Sequence, residues 1–313
     1  MLHKNVFCII VTYNGMKWID RCISDLGKSS LQTNIVVVDN NSTDGTVDFI
    51  VNNFPAVQLI ETGKNLGFGQ GNNVGLSIAI AERADHIFLL NQDAYVEADT
   101  IEKLVATQVE NPGFGIISPL HFDGTGKDFD EHFFRFLIKS DIRELITAGL
   151  VPSTATPSMI NTPFVNAAAW LISRDCLIKT GGFDPIFFHY GEDDNYAQRV
   201  LFKGFKIGIF TGAKIFHDKD RPEETKLSAA KILKGDKIIF LNQACDLHNE
   251  NYRILLFKRF LRYSLFTVAS LLSFNSDATS FNYGMTKHIF ASLSKIKISR
   301  QKSATDPTPF LQN

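Results

Sequence analysis

Three consecutive acids, Glu192, Asp193 and Asp194, close the stretch TGGFDPIFFHYGEDD at positions 180–194, directly after a run of apolar and aromatic side chains. A carboxylate set against apolar walls holds its proton more tightly than one in water. That suits a group that must accept a proton near neutral pH. The competing explanation is a solvated first turn of a helix, where the backbone dipole favours negative charge. Polar residues converging on the same place from elsewhere in the chain would favour the first explanation.

The elements that could bring such residues together are legible in the first hundred positions. Short β-branched runs alternate there with amphipathic segments, the pattern of an α/β protein whose parallel sheet is covered by helices on both faces. Residues 6–12, 34–39, 57–61 and 86–91 read as strands, and 16–26, 43–53 and 69–83 as helices. A helix over 97–110 stops at Asn111-Pro112-Gly113, and a strand follows over 115–118. Residues 119–163 read as long loops around one helix near 138–148, followed by a strand over 164–173, a helix over 193–203 and short strands over 206–211 and 213–217. From Leu227 onward the pattern is helical.

Ligands of open parallel sheets bind at the carboxyl ends of the strands. Those ends carry Thr12-Tyr13-Asn14-Gly15, Asp39-Asn40-Asn41-Ser42, Asn65-Leu66-Gly67 and Asn91-Gln92-Asp93. Each piece has a local explanation, VDNNSTDG as a helix cap and GFGQGNN as a turn, but the convergence of four is harder to explain locally. Glycines 67, 69, 71 and 75 follow the third strand, whereas a dinucleotide fingerprint follows the first strand of its unit.

Composition narrows the class. The chain has 313 residues, 44% of them hydrophobic, and a formal net charge of -1, which gives no global field for nucleic acid. Charge is uneven: residues 226–313 carry 13 Lys and Arg against 5 Asp and Glu. Cys8, Cys22, Cys176 and Cys245 lie far apart with no metal-ligand spacing, so a reducing, cytoplasmic compartment is expected. No transmembrane helix is expected, since the apolar run 265–274 is too short to span a bilayer. The segment 252–272 sets Lys258, Arg259 and Arg262 among Leu, Phe and Ile. That pattern fits peripheral contact of 226–302 with the inner face of the cell membrane, and equally a helix packed on its own domain.

The set VTYN (11–14), VVVDNNSTDGT (36–46), NLGFGQGNNVG (65–75), LLNQDAYV (89–96), GGFDP (181–185) and FFHYGEDDNYAQR (187–199) resembles the family 2 glycosyltransferases, and within them the bacterial rhamnosyltransferase-like branch. The resemblance covers roughly the first 220 residues. It implies a GT-A, Rossmann-like, mostly parallel sheet, with a nucleotide-sugar-binding half (1–110) and an acceptor-binding and catalytic half (111–220); residues 221–313 read, from their charge and helical pattern, as a basic helical extension. It further implies transfer, with inversion, from a nucleotide-diphosphate sugar to a saccharide or lipid-linked saccharide in O-antigen or capsule synthesis, helped by Mg2+ or Mn2+. The donor-binding set is then Thr12, Tyr13, Asn14, Asp39, Asn40, Asn65, Gly67, Asn72, Asn91 and Gln92. Tyr13 would stack on the base while Asp39 or Asn40 bonds its edge. Asp93 holds the last position of the family's metal motif, His217 is a second metal ligand, and Asp193 is the base with Glu192 as its orienting neighbour or substitute.

Three departures bear on the donor. One carboxylate stands in Asn91-Gln92-Asp93 where two are common, Asn195 stands where a second acid follows the Glu-Asp pair, and Asn40 replaces a frequent aspartate. Two other readings compete. One is a non-catalytic sugar-nucleotide or polysaccharide-binding protein on the same fold. The other is a nucleotidyltransferase, disfavoured because VTYNGMKW lacks the Gly-rich loop with a basic residue expected after the first strand.

Overall fold

The computed structural model describes residues 4–138, 159–219 and 228–311. Its elements run β1 (Val6–Thr12), α1 (Ile19–Gly27), β2 (Asn34–Asp39), α2 (Thr46–Asn53), β3 (Gln58–Glu61), α3 (Gly67–Ala81), β4 (His86–Asn91), β5 (Ala94–Val96), α4 (Thr100–Glu110) and β6 (Phe114–Asp123). They continue as α5 (Glu131–Leu137), β7 (Met159–Thr162), β8 (Ala169–Ser173), α6 (Arg174–Thr180), α7 (Glu192–Phe202), β9 (Lys206–His217), α8 (Ala229–Cys245), α9 (Tyr252–Leu272) and α10 (Ser276–Thr305).

Among the described residues one sheet runs in the order β3-β2-β1-β4-β8-β6-β9-β5, with β7 also paired to β9. The β3-β2-β1-β4 block is parallel. Beyond it the sheet is mixed: β8 is antiparallel to both β4 and β6, and β6 is parallel to β9. The two halves read from the sequence therefore share a single sheet.

Alternation along the strands explains the layers. On β1, Phe7 and Ile9 enter one core with Leu76 and Ala79 of α3 and Tyr196 and Val200 of α7. Val6, Cys8 and Ile10 enter the other with Ile19 and Ile23 of α1, Ile50 of α2 and Leu104 of α4. A third cluster joins α8, α9 and α10 through Phe240, Tyr263 and Ile289, and takes in Phe187 from the loop before α7. The four cysteines are free and buried. Among the described residues no helix is long and apolar enough to cross a membrane.

Several expected boundaries change. The expected strand over 115–118 is the middle of β6, which runs to Asp123 because parallel pairing with β9 continues that far. The strands expected over 206–211 and 213–217 are one strand, β9, whose pairing with β6 shifts register between Pro119 and Leu120. The strand expected over 164–173 begins only at Ala169. Strands β5 and β7 and helix α6 occupy segments read as loop or left unassigned. Helix α5, capped by the Asp130 carboxylate on the Phe133 N–H (2.9 Å), precedes the helix expected near 138–148, nearly all of which lies outside the described residues.

One buried cation ties the acid-bearing helix to the rest. Arg199, 1% exposed on α7, donates through Nη1 to Thr180 O and Nη2 to Gly182 O (both 2.6 Å) and through Nε to Asn195 Oδ1 (3.0 Å). The Phe310 ring covers it, 5.2 Å from ring centroid to guanidinium carbon, and the neighbouring Pro309 O accepts from Gly182 N (2.8 Å). Removing such a donor strands buried acceptors, each worth about 1–3 kcal/mol. Arg199→Ala is expected to lower unfolding free energy by at least about 3 kcal/mol in urea titration; a loss below about 1 kcal/mol would show that the guanidinium does not hold this corner.

Candidate active site

Strand register sets the site. Thr12 lies opposite Asp39 and Val11 opposite Asn91, so the carboxyl ends of β1, β2 and β4 stop side by side. Asn40 N donates to Thr12 O (2.8 Å) as the chains leave the sheet. Gln92 Oε1 accepts from Thr12 Oγ1 (2.7 Å) and from Tyr13 N (3.0 Å), locking the turn after β4 to the turn after β1. Helix α3 then lies unusually close to β1, because a side chain at Gly75 would come within 2.5 Å of Ile9 Cγ2. Its first residue, Gly67, has φ +79° and sits where any Cβ would fall 2.0 Å from Phe188 O. The acid-bearing loop thus packs directly on the glycine turn.

A cleft of about 390 Å³ opens there, lined by Tyr13, Asn40, Asn65, Gly67, Asn91, Gln92 and Asp93 together with Val11, Phe68, Phe188 and His189. Seven of the residues singled out from the sequence therefore share one cavity. Tyr13 lines it and is 48% exposed. Asn40 is engaged on both sides, its Nδ2 donating to Gly67 O (3.1 Å) and its Oδ1 accepting from Leu66 N (3.3 Å). Asn65 Oδ1 accepts from Gly67 N (2.8 Å).

Four expected donor residues do not line the cleft. Thr12 supports it through Gln92, and Asp39 is buried with its carboxylate accepting from the Ser42 N–H (2.9 Å) and hydroxyl. Asn14 accepts on Oδ1 from Thr43 N (2.8 Å). Asn72 turns back on its own helix, donating to Phe68 O (3.0 Å).

At the β4 end, Asp93 and His217 meet because β5 pairs with β9 and places Ala94 opposite His217. His217 Nε2 lies 3.2 Å from Asp93 Oδ1 and 3.4 Å from Asn91 Nδ2, and its Nδ1 lies 3.4 Å from Asp130 Oδ2. Lys219 Nζ bonds the same Asp130 oxygen (2.9 Å). Burial alone would lower the proton affinity of His217; the Asp130 and Asp93 carboxylates outweigh it and raise the ring above its ordinary value. Asp130 and Lys219 were not anticipated, since Asp130 lies in a stretch read as loop and reaches His217 only through the sheet.

Two observations bear on whether a divalent ion fits. Asn91 Oδ1 is buried without a hydrogen-bond partner among the described residues, and the Asp93 carboxylate opens on the cleft. Among the described residues no cluster of three His, Cys, Asp or Glu side chains could hold a metal by itself. The donor set fits a hard cation that keeps waters and arrives with a diphosphate. His217 could join only after losing its proton, because a protonated ring nitrogen has no lone pair to give.

The acids open α7. Phe188 and His189 line the cleft, and Glu192 follows three residues later against Gly69 of α3. Asp193 is bonded by the backbone N–H groups of Asp194 (2.9 Å) and Ala167, and Ala168 O accepts from Asn91 N (2.9 Å), which links this carboxylate to the end of β4. Burial raises the proton affinity of Asp193 despite those bonds. Glu192 is 4% exposed, its Oε2 has no hydrogen-bond partner among the described residues, and burial followed by the nearby Asp193 charge pushes its carboxyl up to about 7. A solvated helix start would leave these groups at ordinary values, so their environment favours proton acceptance.

Comparisons with known proteins agree on the class. The chain is 24% identical over 231 residues to the N-acetylglucosaminyl-diphospho-decaprenol L-rhamnosyltransferase of Mycobacterium tuberculosis, covering 67% of this chain and 75% of that one. It is 25% identical over 221 residues to the dTDP-rhamnosyl transferase RfbF of Shigella flexneri, covering 69% and 70%. In structure it resembles S. aureus TarS 1-349 in complex with UDP, with a TM-score of 0.53 at 16% identity over 76% of this chain and 65% of that one, just under two thirds of its length. It also resembles the mannosyltransferase PcManGT from Pyrobaculum calidifontis in complex with GDP-Man and Mn2+, with a TM-score of 0.50 at 16% identity over 95% and 76%. Fold and cleft together define a GT-A glycosyltransferase. The model of glycosyl transferase family 2 matches residues 7–177, and the chain belongs to that family.

Glu192 gives a pH signature. An acid raised to about 7 in the folded chain from an ordinary 4.5 takes up a proton on folding between those values, so stability falls as pH rises through that window. Glu192→Gln removes this penalty. It is expected to unfold about 1–3 kcal/mol less readily than the unaltered protein at pH 8, with the gain vanishing by pH 4. Urea titrations at the two pH values check this; an equal gain at both would place the origin elsewhere.

Proposed function

We propose that this glycosyltransferase inverts the anomeric carbon of a nucleotide-diphosphate sugar while transferring it to a hydroxyl of a lipid-linked saccharide, on the cytoplasmic side of a bacterial membrane, in surface polysaccharide synthesis. Its likeness to two rhamnosyltransferases supports rhamnose as the sugar. One observation carries the reading. The cleft lined by Tyr13, Asn40, Asn65, Gly67 and Asp93 is walled by Phe188 and His189, and that wall leads directly into Glu192 and Asp193.

The residues divide by chemistry. Tyr13 offers a stacking face for the base, and Asn40 holds the glycine turn against which ribose and diphosphate would lie. Asp93, with His217 once neutral, would hold Mg2+ or Mn2+, and such an ion neutralises charge that builds on the departing diphosphate. Tyr13, Asn40 and Asp93 come from the first half of the chain, His217 from strand β9 and the base from the start of α7. Asp193 accepts the acceptor hydroxyl's proton as that oxygen bonds to the anomeric carbon. The bond from that carbon to the diphosphate oxygen breaks on the opposite side, and its electron pair leaves with the nucleotide. Glu192, close by, is hard to ionise, because burial and then the Asp193 charge raise its own proton affinity.

A base within hydrogen-bond reach contributes about 100-fold to 10,000-fold. Asp193→Asn is therefore expected to lower transfer by that factor while nucleotide-sugar affinity, read by calorimetry with Mn2+ present, stays as it was. Near-normal turnover in the variant would refute the assignment. A protein that binds the donor yet releases no nucleoside diphosphate in any form would instead be the non-catalytic binder.

A further inference from the structure

The outer face of α9 has no partner among the described residues. Ile254, Phe257, Leu261, Leu265, Val268 and Leu272 recur at steps of three or four residues, so they form one stripe along the helix, and all are exposed, Phe257 to 66% and Leu272 to 77%. Phe274, in the turn that follows, is 95% exposed. The opposite side of the helix, with Tyr263 and Ser270 buried, is the one that packs on α8 and α10. Lys258 and Arg262 fall four residues after Ile254 and Lys258 in turn, which sets them along the flank of the stripe.

We infer that this face of α9 seats on an anionic lipid bilayer, lying in its interface. Charge decides between occupants. Helix α9 contains no Asp or Glu and carries Arg253, Lys258, Arg259 and Arg262, so a second copy docked on the same face would bring like charges together. An anionic lipid surface complements them, and the apolar stripe enters the acyl boundary while the basic flank meets headgroups. The extension also touches the site, since a side chain at Gly191 would meet Ile238 and Asn242 of α8, and Phe187 packs in the same cluster. Seating α9 would therefore tether the site to the surface that carries a lipid-borne acceptor, and in that respect the inference rests on the function proposed above.

Flotation of the full chain with phosphatidylcholine vesicles, with and without phosphatidylglycerol, tests the surface. The protein is expected to float with the anionic vesicles, less with added salt, and at least about tenfold less with phosphatidylcholine alone, given roughly fivefold per basic residue. Phe257→Glu with Leu261→Glu, and separately Lys258→Glu with Arg262→Glu, should each reduce flotation at least about tenfold while leaving the melting temperature unchanged. Absence of flotation, or flotation insensitive to both pairs, overturns the inference. So does a dimer of the unaltered protein that the Phe257/Leu261 pair converts to monomer, which would assign the face to a second copy. Transfer to a short water-soluble saccharide, assayed on the same preparations, separates the two claims: flotation without transfer sinks the catalytic reading alone, and transfer without flotation sinks the lipid surface alone.

Discussion

The site depends on strand register at the middle of the sheet. With Thr12 held opposite Asp39 and Val11 opposite Asn91, three chains must turn at one level, and a slip by one residue would send every side chain to the other face. Gln92 is the visible consequence, since its carboxamide reaches Thr12 and Tyr13 only because the strand ends coincide. The close descent of α3 onto β1 then brings Gly67 beneath Phe188, so the loop before the acids is positioned by backbone contact rather than by a flexible side chain. A cleft built this way is largely preformed, the arrangement that makes a fixed dipole or carboxylate most effective in catalysis.

The second half of the chain completes that arrangement from behind. Arg199 fastens α7 to the turn at Thr180–Gly182, Pro309 O closes on Gly182, and Ser299 bonds the buried Asp184 of the same turn. The helical extension is therefore part of the support for Glu192 and Asp193 as well as a surface in its own right. Burial that raises the proton affinity of these acids also lowers the stability of their ionised forms, so the same packing that suits proton acceptance works against the fold at higher pH.

Much of the front half was legible because the middles of β1, β2 and β4 are buried on both faces and read as continuous apolar runs. The polar residues after them were legible for the same reason, as strand ends are where ligands bind in such sheets. What escaped had no local signal. Strand β5 is three residues long and exists by pairing with the end of β9, where Ala94 lies opposite His217 and Val96 opposite Ile215. Asp130 and Lys219 reach His217 only through the folded sheet, and Phe188 and His189 become a cleft wall only because Gly67 admits them. The Asp39 carboxylate at the end of β2 also accepts from Ser42, a three-residue contact that its place at a strand end does not announce.

The place where a donor's diphosphate and its ion come to rest decides whether the cleft works in this way. Anomalous diffraction from crystals grown with a nucleoside diphosphate and Mn2+ locates both at once. The peak is expected within about 2.5 Å of an Asp93 carboxylate oxygen, bridging to the diphosphate, with the terminal phosphate directed toward Asp193 and the base against Tyr13. A peak away from Asp93, or a nucleotide bound outside the cleft between Tyr13 and Phe188, would contradict the account.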